Sequence, residues 1–242
     1  MKHRPVYIPS LFTILNLLFG FLSIIQMVDG NLNRAAWLII IAILCDGMDG
    51  KIARWTNSES TFGFELDSLA DLVSFGVAPA LFLYLAVFPA NPLLGASLGF
   101  IYLFAGGYRL ARFNADQAGD RSTGYQGLPI PVAAMLLASF WLFGIHVPVA
   151  DNLIFWITLV SAAFVLMLSA VPYDWPKLSF HGGIRQVLSS VGILVSIVAM
   201  SVFPERSLFP LFLLYAFLGI GTWMMNVVRQ QVEWRTFFKQ IH

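Results

Sequence analysis

Four aspartates stand close together in a sequence that carries little other charge. They are Asp46, Asp49, Asp67 and Asp71. An ionisable side chain at membrane depth is costly and is usually kept only where a cavity, a metal ion or a partner stabilises it. The neighbouring Arg54 cannot neutralise four carboxylates, whereas divalent cations bound by carboxylate oxygens can. We therefore predict that this stretch is a cation-binding active site.

The composition places these acids in a membrane protein. Of the 242 residues, 58% are hydrophobic and only 11% are charged, which lies outside the range of ordinary soluble domains. The net charge is +1 and the basic residues are scattered, which argues against a nucleic-acid partner. The single Cys45 excludes an intramolecular disulfide. We expect an integral membrane protein surrounded by a lipid bilayer.

Charge-free runs separated by polar or proline-containing connectors predict an all-α, polytopic fold with about eight transmembrane helices. The predicted helices cover about 6–28, 35–55, 64–88, a run after Pro92 that ends at 109–112, then 128–145, 153–171, 186–203 and 208–228. We predict one membrane domain over 1–242. Its core covers about 5–185, and residues 186–242 add two C-terminal helices and a tail.

Basic residues predict the orientation, because short cytoplasmic loops collect lysine and arginine. With eight helices and both termini in the cytoplasm, twelve of the fourteen basic residues lie inside and only Arg34 and Arg206 lie outside. The acidic stretch then faces the cytoplasm. We predict a multi-pass protein of the cell membrane, the inner membrane where there are two.

The spacing of the aspartates predicts that they converge. Asp46 and Asp49 are three residues apart and Asp67 and Asp71 are four apart, so each pair shares one face of a helix. The midpoint between Asp49 and Asp67 is residue 58, and the midpoint between Asp46 and Asp71 falls between residues 58 and 59, inside the polar connector at 57–60. An antiparallel hairpin that turns there brings the four carboxylates to one level between the second and third helices.

Such an array suits phosphoryl or phosphatidyl transfer. Four carboxylates can hold two divalent cations that clamp a phosphoryl group, and one of them can act as general base toward an attacking hydroxyl. Small residues on the same faces leave room for a ligand, and Arg54 can offer a planar fork to phosphate. There are two alternatives. The protein could be a cation transporter whose aspartates bind ions in transit, or the aspartates could simply lie at a solvated helix end.

The motif D-x-x-D-G-x-x-A-R, eight residues, G-x-x-x-D-x-x-x-D runs from Asp46 to Asp71. It resembles the signature of the CDP-alcohol phosphotransferase family at every fixed position. The resemblance implies a helical membrane enzyme in which a CDP-linked lipid donates its phosphatidyl group to an alcohol and CMP is released. It implies two bound Mg²⁺ or Mn²⁺ ions held by the four aspartates, with Asp71 also as the base, and a homodimer.

The same resemblance implies contacts with the CDP moiety of the donor. The corresponding positions are Gly50, Arg54, Ser60, Gly63, Thr13 and Asn16. Thr13 and Asn16 belong to a segment similar to the family's P-N-x-x-T element, in which Ser10 replaces the usual asparagine.

Three further segments resemble the bacterial and archaeal phosphatidylserine synthase subgroup of this family. They are 108–114 (YRLARFN), 127–131 (GLPIP) and a loop with Pro172-Tyr173 and Ser179-Phe180. This resemblance implies CDP-diacylglycerol as donor and L-serine as acceptor. Arg109 or Arg112 could bind the serine carboxylate, or both could only set topology at a cytoplasmic helix end. Glycerol 3-phosphate and inositol phosphate are the alternative acceptors.

Overall fold

The computed structural model describes residues 7–56, 61–118, 127–173 and 184–241, and within these ranges the chain forms eight helices and no β-strand. They are α1 (Tyr7–Val28), α2 (Leu32–Thr56), α3 (residues 61–87), α4 (Pro92–Ala118), α5 (Ile130–Gly144), α6 (Leu153–Leu168), α7 (Ile184–Val202) and α8 (Pro204–Ile241). The predicted all-α fold is confirmed. The main differences are that α4 runs beyond Arg112 and that α8 begins and ends outside its predicted bounds.

The helices include apolar stretches of the length expected in a membrane protein. Four stretches in the described part of the chain are long and apolar enough to cross a bilayer, namely Leu11–Val28, Phe62–Val87, Pro92–Asp116 and Pro204–Met225. Helix α2 has the length of a span but carries five charged residues. The apolar helices Ile130–Gly144, Leu153–Leu168 and Gly192–Val202 are shorter. The predicted single domain, with its core at about 5–185, stays a prediction.

Helix α3 contains two π-helical segments. It is α-helical over Thr61–Asp71, π-helical over Leu72–Val77, α-helical over Ala78–Phe82 and π-helical again over Leu83–Val87. Pro79 explains the first π-helical segment, because proline lacks an N–H and its ring collides with the carbonyl four residues earlier, that of Phe75. The Ala78 N–H accordingly donates to the Val73 carbonyl, five residues back. The widened segment begins directly after Asp71.

Helix α1 packs closely against α2 and α3 through small residues. The Ser74 hydroxyl of α3 donates to the Asn16 carbonyl at 2.9 Å, and the Ser23 hydroxyl of α1 donates to the Ala35 carbonyl of α2 at 2.9 Å. A Cβ atom on Gly20 would lie only 2.7 Å from the Ser74 Cα. The backbones of α1 and α3 therefore touch at the point where α3 is π-helical.

We expect Gly20→Ala to destabilise the protein by about 1–3 kcal/mol, because the added methyl group has no room against backbone atoms. Thermal unfolding in detergent measures the effect. Gly192→Ala is the control, since a Cβ there meets nothing within 4 Å and alanine favours a helix. Equal melting temperatures for wild type and Gly20→Ala would show that the two helices separate without cost.

The segment 127–131 is shaped by a turn that docks on the end of α6. Gly127 has a φ of 80°, a left-handed conformation that favours glycine, and its N–H donates to the Val171 carbonyl at 2.8 Å. The Leu128 N–H donates to the Leu166 carbonyl at 2.9 Å, and α5 starts directly after Pro129. This sequence therefore begins a helix, as its prolines predict, and also ties α5 to α6.

Candidate active site

Three carboxylates from two helices meet in the structure. Asp46 of α2 and Asp67 and Asp71 of α3 each place one carboxylate oxygen within 4.8 Å of the other two. Asp71 is buried, with 8% of its surface exposed, and the other two are half-buried. The three carboxylates thus meet between the two helices that the spacing predicts, at the predicted level.

The fourth acid, Asp49, lies beside this group and is held from α1. It is buried, and the Thr13 hydroxyl donates to its Oδ2 atom. Asp49 also interacts electrostatically with Asp46 and Asp67. All four acids therefore occupy one region, although Asp49 stands outside the group of three.

The donor set fits a divalent cation. Among the described residues, Asp49 Oδ1 and Asp67 Oδ1 are buried and have no hydrogen-bond partner. Carboxylates this close repel one another, and a buried oxygen without a partner is costly. Mg²⁺ and Mn²⁺ are hard ions that take oxygen ligands, so either satisfies the unpaired oxygens and removes the repulsion.

Asn16 of α1 contacts the buried Asp71. Its Nδ2 atom donates to Asp71 Oδ1 at 3.0 Å, and its side chain is fully buried. Family resemblance predicts a nucleotide contact for Asn16 and for Thr13. In the structure both side chains orient carboxylates, a role that periodicity within α1 cannot reveal because the partners lie on other helices.

The side chains of the two arginines of α4 have different partners. Arg109 is buried, with 5% exposure, and its guanidinium interacts electrostatically with Asp71. The Arg112 Nη2 atom donates to the Ser169 carbonyl at 3.3 Å, just after the end of α6. Of the two predicted acceptor-binding residues, Arg109 is therefore within electrostatic range of Asp71, whereas Arg112 contacts the end of α6.

A polar pair joins α3 and α4 next to the acids. The Asn114 Nδ2 atom donates to Ser68 Oγ at 3.0 Å, and Ser68 directly follows Asp67 in the chain. Sequence inspection includes Asn114 only as part of the segment 108–114. The contact adds a polar link between the helix that carries Arg109 and the one that carries Asp71.

The remaining predicted CDP contacts are only partly described. Gly50 lies in α2, one residue after Asp49, and Gly63 lies in α3 and is half-buried. The side chain of Arg54 and the whole of Ser60 lie outside the described residues. Their roles stay predictions.

An apolar cavity of about 480 Å³ lies elsewhere, between the end of α6 and helices α7 and α8. Its lining includes Tyr173, Ile197 and Leu218 and none of the four aspartates. The Tyr173 hydroxyl donates to the Ala216 carbonyl. This lining suits hydrocarbon and offers no acid or base, so the acidic cluster is the candidate active site.

A helical membrane protein with an acidic cluster between its second and third helices is what the signature motif predicts. The profile of the family described as CDP-alcohol phosphatidyltransferase matches residues 6–167. The chain belongs to this family and is a transferase. The match includes all four aspartates and leaves out α7 and α8.

Three named relatives match between 54% and 95% of the chain. Archaetidylserine synthase from Methanothermobacter thermautotrophicus is 38% identical over 170 residues, 69% of this chain and 70% of its own length. CDP-diacylglycerol--serine O-phosphatidyltransferase from Helicobacter pylori is 32% identical over 234 residues, 95% of this chain and 96% of its own length. The Bacillus subtilis protein with the same name is 38% identical over 131 residues, 54% of this chain and 73% of its own length.

Proposed function

We propose that the protein is a phosphatidylserine synthase of phospholipid biosynthesis, which transfers the phosphatidyl group of CDP-diacylglycerol to the hydroxyl of L-serine and releases CMP. The names of the relatives support this donor and this acceptor. The structural observation that carries the proposal is the meeting of Asp46, Asp67 and Asp71, with buried Arg109 within electrostatic range of Asp71. Family membership argues against the cation transporter.

Asp46, Asp49, Asp67 and Asp71 would hold two divalent cations, Mg²⁺ or Mn²⁺. The unpaired oxygens of Asp49 and Asp67 within the described part of the chain support this assignment. When bound, such ions stabilise the negative charge that develops on a phosphoryl group and on its leaving oxygen.

The reaction is proposed as a single displacement. Asp71 accepts the proton of the serine hydroxyl as the serine oxygen forms its bond to the phosphorus of the phosphatidyl group. The bond from this phosphorus to the CMP oxygen breaks, and CMP leaves with the bonding electrons. Asn16 keeps one oxygen of Asp71 in place through its 3.0 Å hydrogen bond, which leaves the other oxygen to take the proton.

The donor enters with its nucleotide between α2 and α3 and its chains in the bilayer. Gly50, Arg54, Ser60 and Gly63 are the proposed contacts with CDP, together with Thr13 and Asn16. We further propose eight membrane helices with both termini and the acidic cluster at the cytoplasmic face of the cell membrane, and a homodimer. The distribution of the fourteen basic residues supports this orientation.

An acceptor panel tests the proposal. Purified protein in detergent is mixed with CDP-diacylglycerol and Mg²⁺ or Mn²⁺, and CMP release is measured with L-serine, glycerol 3-phosphate or inositol phosphate. We expect release with serine only, and loss of release on chelation with EDTA that excess metal reverses. A second donor with ether-linked chains shows which lipid is preferred.

Each alternative outcome of the acceptor panel would lead to a different conclusion. Release with a phosphorylated acceptor in place of serine would keep the reaction class and overturn the proposed acceptor. Turnover that persists after complete metal removal would contradict the role assigned to the aspartates. Heat-denatured protein serves as the blank, because CDP-diacylglycerol can hydrolyse without enzyme.

A further inference from the structure

The π-helical segment that follows Asp71 is held by a hydroxyl from another helix. In a regular α-helix the Phe75 carbonyl would accept from residue 79, which is Pro79 and has no N–H. The Tyr102 hydroxyl of α4 donates to this carbonyl at 2.9 Å, and the tyrosine is fully buried. Tyr102 therefore supplies the hydrogen bond that Pro79 removes.

The opposite side of the same segment rests on α1. The Ser74 hydroxyl donates to the Asn16 carbonyl at 2.9 Å, and the Asn16 side chain donates to Asp71 at 3.0 Å. Gly20 lets the α1 backbone come this close to Ser74. The segment Leu72–Val77 is thus clamped between α1 and α4, and one of the clamping residues also holds Asp71.

The winding of this segment decides where Asp71 points. A hydrogen bond to the fifth residue accommodates one more residue than a bond to the fourth. Rewinding Leu72–Val77 as a regular α-helix would therefore turn Asp71 by roughly 100° about the helix axis relative to the second half of α3. That half is fixed by the buried Phe82 and Leu83, so Asp71 would move away from Asp46.

We propose that Tyr102 is a positioning residue for Asp71, because its hydroxyl holds the carbonyl that Pro79 displaces and so keeps α3 π-helical next to the acidic cluster. The inference rests on the proposed role of Asp71 in phosphatidyl transfer. Within the described part of the chain, the Tyr102 hydroxyl bonds to the Phe75 carbonyl and to none of the four carboxylates.

Tyr102→Phe removes the hydroxyl and keeps the buried ring. We expect kcat to fall by at least about tenfold to a hundredfold, because a misplacement of only about 1 Å can already cost this much, while KM for donor and for serine stays within twofold. In protein stripped of metal, the Mn²⁺ concentration that gives half of the maximal thermal stabilisation should rise several-fold, because Asp71 is one of the proposed ligands. This second measurement needs no turnover.

Tyr173→Phe is the matched control. It removes a tyrosine hydroxyl that also donates to a helix carbonyl, that of Ala216 at 3.2 Å, from a side chain that is also buried. The control should lose a comparable amount of thermal stability and keep the wild-type kcat. It should also keep the wild-type Mn²⁺ midpoint, which is the Mn²⁺ concentration that gives half of the maximal thermal stabilisation. An equal fall of kcat in both variants would overturn the proposal, as would wild-type kcat in Tyr102→Phe.

Pro79→Ala separates positioning from stability. It returns the N–H that the Phe75 carbonyl lacks, so α3 can rewind and the melting temperature should stay equal or rise. We expect kcat to fall in this variant all the same, and the Mn²⁺ midpoint to rise. A stable variant with wild-type values for both would overturn the proposal, and this result stays decisive should Tyr102→Phe not fold.

The two proposals fail in different ways. Wild-type protein that releases no CMP with serine, or with any other acceptor, contradicts the proposed function. The Mn²⁺ midpoints of wild type, Tyr102→Phe, Pro79→Ala and Tyr173→Phe are then still measurable. An equal midpoint in all four proteins would overturn the positioning role independently of the reaction.

Discussion

Asp71→Asn should abolish CMP release with serine, by about a thousandfold or more, while the protein remains folded in detergent. The loss combines the base, which alone contributes about 10²–10⁴-fold, with a weakened cation site. The substitution changes little in shape, and the new amide oxygen can still accept the hydrogen bond from Asn16. Release of CMP at saturating donor, serine and metal measures the effect.

The stability of this variant gives a second, independent expectation. Asp71 is buried close to Asp46 and Asp67, so loss of its charge removes repulsion in protein without metal. The melting temperature without metal should therefore be equal to or above that of wild type, and the stabilisation gained from Mn²⁺ should shrink. Asp29→Asn, at an exposed position after α1, is the control and should change neither value. Near-normal turnover in Asp71→Asn would remove its assignment as base.

The sequence predicts the framework of the site because two simple regularities suffice. Apolar runs of membrane length define the helices, and the three- and four-residue spacings of the acids define one face on each of α2 and α3. The connector at 57–60 then fixes the level at which Asp46 and Asp71 meet. Each step uses only contacts that are local in the chain or that a single hairpin creates.

The contacts that shape the site in detail could not be predicted in this way. The hydrogen bond from Thr13 to Asp49 joins α1 to α2 and the one from Tyr102 to Phe75 joins α4 to α3, and no spacing in the sequence pairs these residues. The π-helical segment follows from Pro79, whose effect on the winding depends on whether another helix supplies a donor. Arg109 and Arg112 are three residues apart and so lie on adjacent parts of one helix surface, yet Arg109 interacts electrostatically with Asp71 of α3 and Arg112 contacts the end of α6.

Arg109→Gln should lower kcat/KM for serine by about a hundredfold, as expected when a buried charged contact worth about 3 kcal/mol is lost. Arg112→Gln, three residues further along the same helix, is the matched control and should change this value only a few-fold, because Arg112 contacts the Ser169 carbonyl. Initial rates over a range of serine concentrations give the comparison. Since Arg109 is buried and interacts electrostatically with Asp71, its loss should also lower the melting temperature, and Arg109→Lys provides a variant that keeps the charge.

A second acceptor decides how Arg109 acts. Ethanolamine has the hydroxyl and the ammonium of serine but no carboxylate. If Arg109 binds the serine carboxylate, wild type should favour serine strongly and Arg109→Gln should lose most of this preference, because only the serine reaction weakens. If Arg109 instead only fixes Asp71, both reactions should fall by the same factor and the preference should persist. We expect the first result, since a planar guanidinium within electrostatic range of the proposed base can hold the acceptor with its hydroxyl toward Asp71.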